Sequence, residues 1–563
     1  MSRNKKGIGL SSSGRGSRSW PLVVAIAALV GLVACLSCWL IYQAARRDVQ
    51  GENKVTLEVA FTPDKQALFE ELVKRFNAGR PRIASGKAIT IIATKVESEA
   101  MIDGSLTGEF QALSPDSSIW LSQLDMEWQK QQNTEASIIG DTVRFAVSPV
   151  VIAMWEDTAR SLGYPDEAIG WADILAAARN NPDFKWSHPS TSSASGLLAT
   201  LAAFYAGVGK TRGLTVEDAT AEETLAYVAA LEKTVRYYGE GELAVIQQAE
   251  AKGRAYLDAF IVQEQLVIYF NQRNQDKLVA IYPVEGTMWK DHPLVLLERS
   301  DTTPEQRQAY RAFSDFLLSR DAQMLVLSSG YRPTDLSIEL DSAASSIKLS
   351  NGVDPAQPKT TLQIPSPAVI EVVRDVWQYA KRKTNVYLVA DVSGSMQGEK
   401  LSQAREAFLT FLSLIKGDQE RVGLVVFSSD AEEAVPLAEL ATNRELLRSR
   451  ISGLGAGGDT ALLDAVNLAY ERLQSGQDSE RINAIVVMTD GKENNSRIRL
   501  RTLTSRLEQG NKSAAPVIVF CVAYGSDADM DTLESISSAT GGQTRRGSPE
   551  TIQELYKLLS TYF

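Results

Sequence analysis

The stretch Val386-Tyr387-Leu388-Val389-Ala390-Asp391-Val392-Ser393-Gly394-Ser395-Met396 decides how this chain is read. Five apolar residues in a row read as a strand covered on both faces, the pattern of a parallel sheet. At its carboxyl end a carboxylate and two hydroxyls follow at alternate positions, where open α/β sheets place their ligands. Working outward, Val422-Gly423-Leu424-Val425-Val426-Phe427 and Val517-Ile518-Val519-Phe520-Cys521-Val522 read as further buried strands. Leu401, Ala404, Phe408, Phe411, Leu412 and Ile415 recur every three to four residues, as do Leu462, Leu463, Val466, Ala469 and Leu473, so each set predicts a helix. A closing helix is expected over residues 552–559. Strands alternating with helices predict a doubly wound sheet. Two more polar groups fall at the ends of such elements. Thr460 closes the loop Gly455-Ala456-Gly457-Gly458-Asp459-Thr460, and Asp490 ends the run Ile485-Val486-Val487-Met488-Thr489-Asp490.

Asp391, Ser393 and Ser395, with Thr460 and Asp490 in that order, resemble the DxSxS, Thr and Asp elements of von Willebrand factor type A (VWA) domains, which build a metal-ion-dependent adhesion site. The resemblance covers about residues 384–563 and implies a Rossmann-like fold. It implies Ser393, Ser395 and Thr460 as direct ligands of Mg²⁺ or Mn²⁺, with Asp391 and Asp490 acting through water. Neutral hydroxyls leave such an ion electrophilic, so a partner protein's carboxylate can complete its shell. Other readings of the same residues fit less well. A serine nucleophile needs a base, yet the chain's two histidines, His188 and His292, lie far upstream. The glycine-rich loop lacks the Lys of a phosphate-binding loop. Simple capping of a strand-to-helix turn by Asp391 and the serines would leave Thr460 and Asp490 unexplained. The chain is therefore not expected to be an enzyme.

Residues 54–340 read as a second α/β unit. Val55-Thr56-Leu57-Glu58-Val59-Ala60 predicts a strand, Leu68, Phe69, Leu72, Val73 and Phe76 the face of a helix, and residues 88–93 the next strand. This order, the long apolar stretch over residues 143–155, Gly170-Trp171-Ala172-Asp173 at a helix start, and the run 278–287 resemble bacterial extracellular solute-binding proteins of the type 2 periplasmic class. The resemblance implies a two-lobed unit with a solute cleft. Trp186-Ser187-His188-Pro189-Ser190-Thr191-Ser192-Ser193 precedes an apolar helix, and Ser190, Thr191 and Ser193 are the candidate ligand contacts, since hydroxyls and N–H groups at a helix start suit an anion. Ordinary N-capping is the competing role. Gly286 and Thr287 are secondary candidates for the same cleft. Asp103, Asp116 and Asp125 read as solvated surface, His188 as a turn or packing residue, and Trp120, Trp128 and Trp155 as core. Residues 341–383 read as a linker followed by an amphipathic helix carrying Val369, Val372, Val373, Val376, Trp377 and Ala380 on one face.

The amino-terminal segment sets the location. Residues 1–20 form a basic, acid-free tail, and residues 21–42 are almost wholly apolar and long enough to span a bilayer. Lys and Arg exceed acids on the amino side, which predicts that end in the cytoplasm and the bulk outside as a single-pass membrane protein. Leu32-Val33-Ala34-Cys35 resembles a bacterial lipobox, so a lipoprotein anchored at Cys35 is the alternative. The whole chain has a formal net charge of −11, and its basic excess is confined to the tail. An acidic ectodomain argues against nucleic acid as a partner. The expectation is a tethered recognition protein that binds a protein partner through metal, its first unit binding a small-molecule solute. The alternative is a solute-binding or sensing component of a transport system in which the VWA unit only docks partners.

Overall fold

The computed structural model describes residues 54–563 except 240, 416, 512–514, 526, 549–550, 553–555 and 557–563. The anchor expected at residues 21–42, the basic tail and Cys35 lie outside the described residues, as does most of the closing helix. Among the described residues no helix is long and apolar enough to cross a membrane.

The first unit opens with β1 (Lys54–Phe61), β2 (Ala88–Lys95), β3 (Ala112–Ser114) and β4 (Ile139–Arg144). The chain then crosses over into β5 (Ala146–Trp155), β6 (Trp186–Pro189), β7 (Tyr238–Gly239), β8 (Ala259–Gln263), β9 (Leu278–Ile281) and β10 (Trp289–Lys290), and returns as β11 (Pro293–Leu297) before β12 (Arg332–Pro333). Among the described residues these strands make two sheets. One has the order β2-β1-β3-β11-β4; the other has the order β10-β5-β8-β6-β7, with β9 and β12 also paired to β5. Each sheet is the core of one lobe. The apolar stretch over 143–155 is divided at Phe145, so that its two parts serve different lobes. Leu68, Phe69, Leu72, Val73 and Phe76 are all buried beneath the first sheet, as their spacing requires.

The second unit contains β13 (Thr384–Asp391), β14 (Arg421–Phe427), β15 (Ala431–Glu439), β16 (Ile482–Thr489), β17 (Val517–Tyr524) and β18 (Thr544–Gly547). Their order is β15-β14-β13-β16-β17-β18, parallel apart from the β14–β15 pair. All eight residues of β13 and all eight of β16 are buried, because helices cover both faces. Leu401, Ala404, Phe408, Phe411 and Leu412 pack on one face, while Leu462, Leu463, Val466, Ala469 and Leu473 pack on the other. Of the closing segment, Ile552 and Tyr556 are buried, and Tyr556 meets Phe408 and Phe411 edge-on. The Cys521 thiol lies wholly inside, where burial pushes it up to about 12.

Residues 341–366 pack over the second lobe, burying Ile347, Val353 and Leu362. The helix Pro367–Ala380 then seats Val369, Ile370, Val373 and Trp377 in the core of that lobe, with Ile482 of the second unit in the same cluster. Arg382 joins the units: its Nη1 donates to the Val235 carbonyl at 2.9 Å and its Nη2 to the Ser479 carbonyl at 2.6 Å. Its backbone N–H donates to the Tyr238 hydroxyl at 2.9 Å.

Candidate metal and recognition site

β13 and β16 are adjacent and parallel, with Ala390 opposite Met488, so Asp391 and Asp490 emerge side by side at one sheet edge. Asp391 is 2% exposed and both its oxygens are engaged: Oδ1 accepts the Ser393 N–H at 2.7 Å, and Oδ2 accepts the Thr489 hydroxyl. Burial pushes the Asp391 carboxyl above its ordinary value, against the opposing pull of those two hydrogen bonds. The short helical turn Gly394–Met396 swings Ser395 back over the edge. Its Oγ lies 3.0 Å from Ser393 Oγ and donates to Asp490 Oδ1 at 2.6 Å. The other Asp490 oxygen accepts Lys400 Nζ at 2.5 Å.

Thr460 arrives from the third side. The glycine-rich loop is tied to the first motif by Gly394 N–H to the Gly458 carbonyl at 3.0 Å, and by Gly457 N–H to the Val392 carbonyl at 2.8 Å. Gly458 holds φ +88°, and a Cβ there would stand 2.7 Å from Ser429 Oγ, so glycine is required. The Thr460 N–H donates to Asn494 Oδ1 at 2.9 Å, which fixes the residue against the loop after β16. A Cβ placed on Gly491 would lie 3.3 Å from Thr460 Oγ1 and 3.5 Å from Ser395 Oγ. Both hydroxyls thus border one small space that glycine leaves open.

The five residues singled out by the VWA resemblance are therefore neighbours, drawn from three loops. Their donors are all oxygen, the ligand type that Mg²⁺ and Mn²⁺ take. Among the described residues no group of three or more His, Cys, Asp or Glu side chains is arranged to hold a metal. A hydroxyl-led set such as this one does not depend on such a group, and the residues fit a hard divalent ion. Ser395, Thr460 and Asp490 open onto a cleft of about 740 Å³ that Lys492, Asp529 and Arg546 also line. Two contributors were missed in the sequence, Thr489 and Lys400. Lys400 carried a signal: it stands in the first turn of the helix Glu399–Leu414, where a cation opposes the helix dipole and calls for a compensating anion.

The cleft residues of the first unit have other partners. Ser193 N-caps the helix Ala194–Val208 by accepting the Gly196 N–H at 3.1 Å. Ser190 Oγ lies 2.7 Å from Ser192 Oγ, and Ser190 and Thr191 are buried. Gly286 and Thr287 stand beside residues 360–362, and a Cβ on Gly286 would stand 2.7 Å from the Leu362 side chain. Asp116 is not solvated: it is 6% exposed and paired with Lys290, because a lysine from the far side of the unit reaches it. Asp125 is half-buried and accepts the Ile138 N–H at 3.0 Å, while Asp103 is exposed. His188 is buried against Glu232, Nε2 to Oε2 3.1 Å, and touches Trp186, Tyr238 and Trp377. Trp120 and Trp155 are buried core residues, and Trp128 is partly buried against the same core as Trp120.

Comparison with known proteins agrees with this division. Residues 385–557 match the von Willebrand factor type A domain, and residues 57–332 match the bacterial extracellular solute-binding protein family. The chain thus combines a VWA domain with a solute-binding domain, modules that support a recognition or binding role. Over 169 residues it is 30% identical to human inter-alpha-trypsin inhibitor heavy chain H4, covering 29% of this chain and 18% of that one. The chain therefore spans less than a fifth of the length of that relative. It is 21% identical to uncharacterized protein MT1884 of Mycobacterium tuberculosis (strain CDC 1551 / Oshkosh), over 94% of this chain and 81% of the other. Among solved structures it is similar to the sulfate-binding protein SubI from Mycobacterium tuberculosis H37Rv, at 18% identity and TM-score 0.36, covering 50% of this chain and 88% of that one. It is also similar to a von Willebrand factor type A structure from Catenulispora acidiphila, at 20% identity and TM-score 0.28, covering 32% and 43%.

Proposed function

We propose that this protein is a membrane-anchored, extracytoplasmic recognition protein whose VWA domain grips a partner protein through a divalent cation. The convergence of Ser393, Ser395, Thr460, Asp391 and Asp490 at the carboxyl edge of β13 and β16 carries the reading. Ser393, Ser395 and Thr460 would touch Mg²⁺ or Mn²⁺, and the two aspartates would stand behind them. The bound ion supplies an electrophilic position for an acidic side chain of the partner. Asp391, its oxygens fixed by Thr489 and Ser393, holds the first loop in place, and Asp490 orients Ser395. The basic tail and apolar segment ahead of residue 54 support the tether, and the acidic remainder suits a cation-bridged contact. Recognition rather than catalysis is favoured because both histidines are buried in the first unit, away from Ser393 and Ser395.

The test is thermal unfolding of the protein in EDTA, then in Mg²⁺ or Mn²⁺, beside Asp391→Ala. A ligand that binds only the folded state adds about 2.7 kcal/mol when present at 100 times its dissociation constant. A metal-dependent rise in the midpoint that the variant lacks is expected. Equal midpoints with and without metal in the unaltered protein would sink the metal reading.

A further inference from the structure

The interior between the two lobes of the first unit holds a buried ion cluster centred on Lys290. This residue ends β10, on the edge of the second-lobe sheet, and only Asp291 and His292 separate it from β11 of the first lobe. Its side chain is 1% exposed, and its Nζ lies 2.8 Å from Asp116 Oδ2, 3.3 Å from Asp64 Oδ2 and 2.5 Å from Glu242 Oε1. Asp64 follows β1 and Asp116 follows β3, both in the first lobe, whereas Glu242 opens a helix of the second lobe. One ammonium therefore bridges carboxylates from both lobes.

The carboxylates are themselves held in place. Glu242 Oε2 accepts the Ser195 hydroxyl at 2.6 Å and the Gln263 N–H at 2.7 Å. Asp116 Oδ1 accepts Trp120 Nε1 at 3.0 Å, and Asp64 Oδ2 accepts Gln263 Nε2 at 3.2 Å. Burial alone would favour a neutral amine, but the fields of Asp116, Asp64 and Glu242 outweigh it and keep Lys290 charged. Three fixed acceptors around three N–H donors make a complete recognition shell for a primary ammonium group. Beside the shell, His292 Nδ1 is buried without a hydrogen-bond partner. Stability alone does not account for these ions, because replacing a buried ion pair by hydrophobic residues is often neutral or stabilising.

We propose that Lys290 is a built-in ligand: the chain supplies its own ammonium to the interlobe site, and this contact holds the two lobes closed without a free solute. The first unit then works as a rigid platform for the VWA domain rather than as a solute carrier. The proposal is independent of the metal site.

The experiment uses the full-length chain with Lys290→Ala, followed by hydrogen exchange and thermal unfolding, with propylammonium as probe. Exchange over residues 62–66, 114–120 and 241–246 is expected to quicken at least tenfold and the midpoint to fall. Propylammonium should reverse both in a concentration-dependent way, tetramethylammonium should not, and the unaltered protein should respond to neither. Unchanged exchange in Lys290→Ala, or a folded variant that propylammonium fails to restore, would overturn the proposal. Restoration by Mg²⁺ alone would also overturn it, by showing that the carboxylates form a divalent-cation site. Should Lys290→Ala not fold, Glu242→Gln keeps the shape and removes one charge. Quickened exchange in the Asp64 and Asp116 segments supports the latch, and unchanged exchange there refutes it.

Discussion

Replacing Lys400 by methionine should tighten metal binding. The Lys400 ammonium sits 2.5 Å from Asp490 Oδ2, its side chain 33% exposed while that of Asp490 is fully buried. An exposed pair is worth at most about 1 kcal/mol, and a hydrogen bond to a charged group about 1.5–3 kcal/mol. This half-sheltered contact falls between, on the order of 1–3 kcal/mol. A divalent ion drawing on Asp490 must share that carboxylate with Lys400 or displace it. Lys400→Met keeps an unbranched stem of similar length and removes the competing charge, so metal affinity should rise by roughly 5- to 150-fold. The metal-free variant should at the same time be less stable, because Asp490 loses its cation. Isothermal titration with Mn²⁺ and unfolding in EDTA read the two effects separately. A variant that binds Mn²⁺ more weakly, or with unchanged affinity, would refute the reasoning and assign Lys400 to building the site.

Trp377 is 2% exposed at the joint between the units, and its Nε1 is buried without a hydrogen-bond partner. Trp377→Ala should cost about 3–5 kcal/mol in denaturant unfolding. Trp377→Phe should cost less than half of that, since it also removes a donor whose burial costs about 1–3 kcal/mol; equal losses would show that the indole N–H is satisfied. Burial alone would lower the His188 pKa, but the Glu232 carboxylate raises it above the ordinary 6.5. A raised value stabilises the fold fully below the unfolded pKa, and that contribution is lost as pH rises through the folded one. The unfolding midpoint should therefore fall as pH rises above the ordinary histidine value in the unaltered protein and be flatter in Glu232→Gln, as thermal scans at stepped pH would show; parallel curves would rule the pair out as the cause.

Much of the second unit was legible because its information is local. Continuous apolar runs at 386–390, 422–427 and 517–522 became β13, β14 and β17, since a strand covered on both faces admits few polar residues. Asp391, Ser393, Ser395 and Asp490 could be grouped because they stand at or just after the ends of β13 and β16, which are parallel neighbours in register, whereas Thr460 precedes a helix and was reached only through the VWA resemblance. The stripes of the helices Glu399–Leu414 and Pro367–Ala380 were equally readable, as 3.6-residue periodicity depends only on the residues themselves.

Polar burial was not local in this sense. Asp116 reads as a surface loop residue until Lys290 arrives from 174 positions away, and of the two roles open to Ser193 the structure shows the capping one, its Oγ accepting the Gly196 N–H. Thr489 and Asp391 are 98 residues apart, yet they share a hydrogen bond that fixes the first loop of the site. The sequence by itself determined the two α/β units, their strands, the helix faces and the set of oxygen donors. Only the tertiary structure decided which charges are buried, which hydroxyls are already engaged, and that an internal ammonium occupies the space between the lobes. The reason is physical: a hydrophobic residue is driven inward wherever it stands, whereas a charged group goes inside only when the fold brings its partner to it.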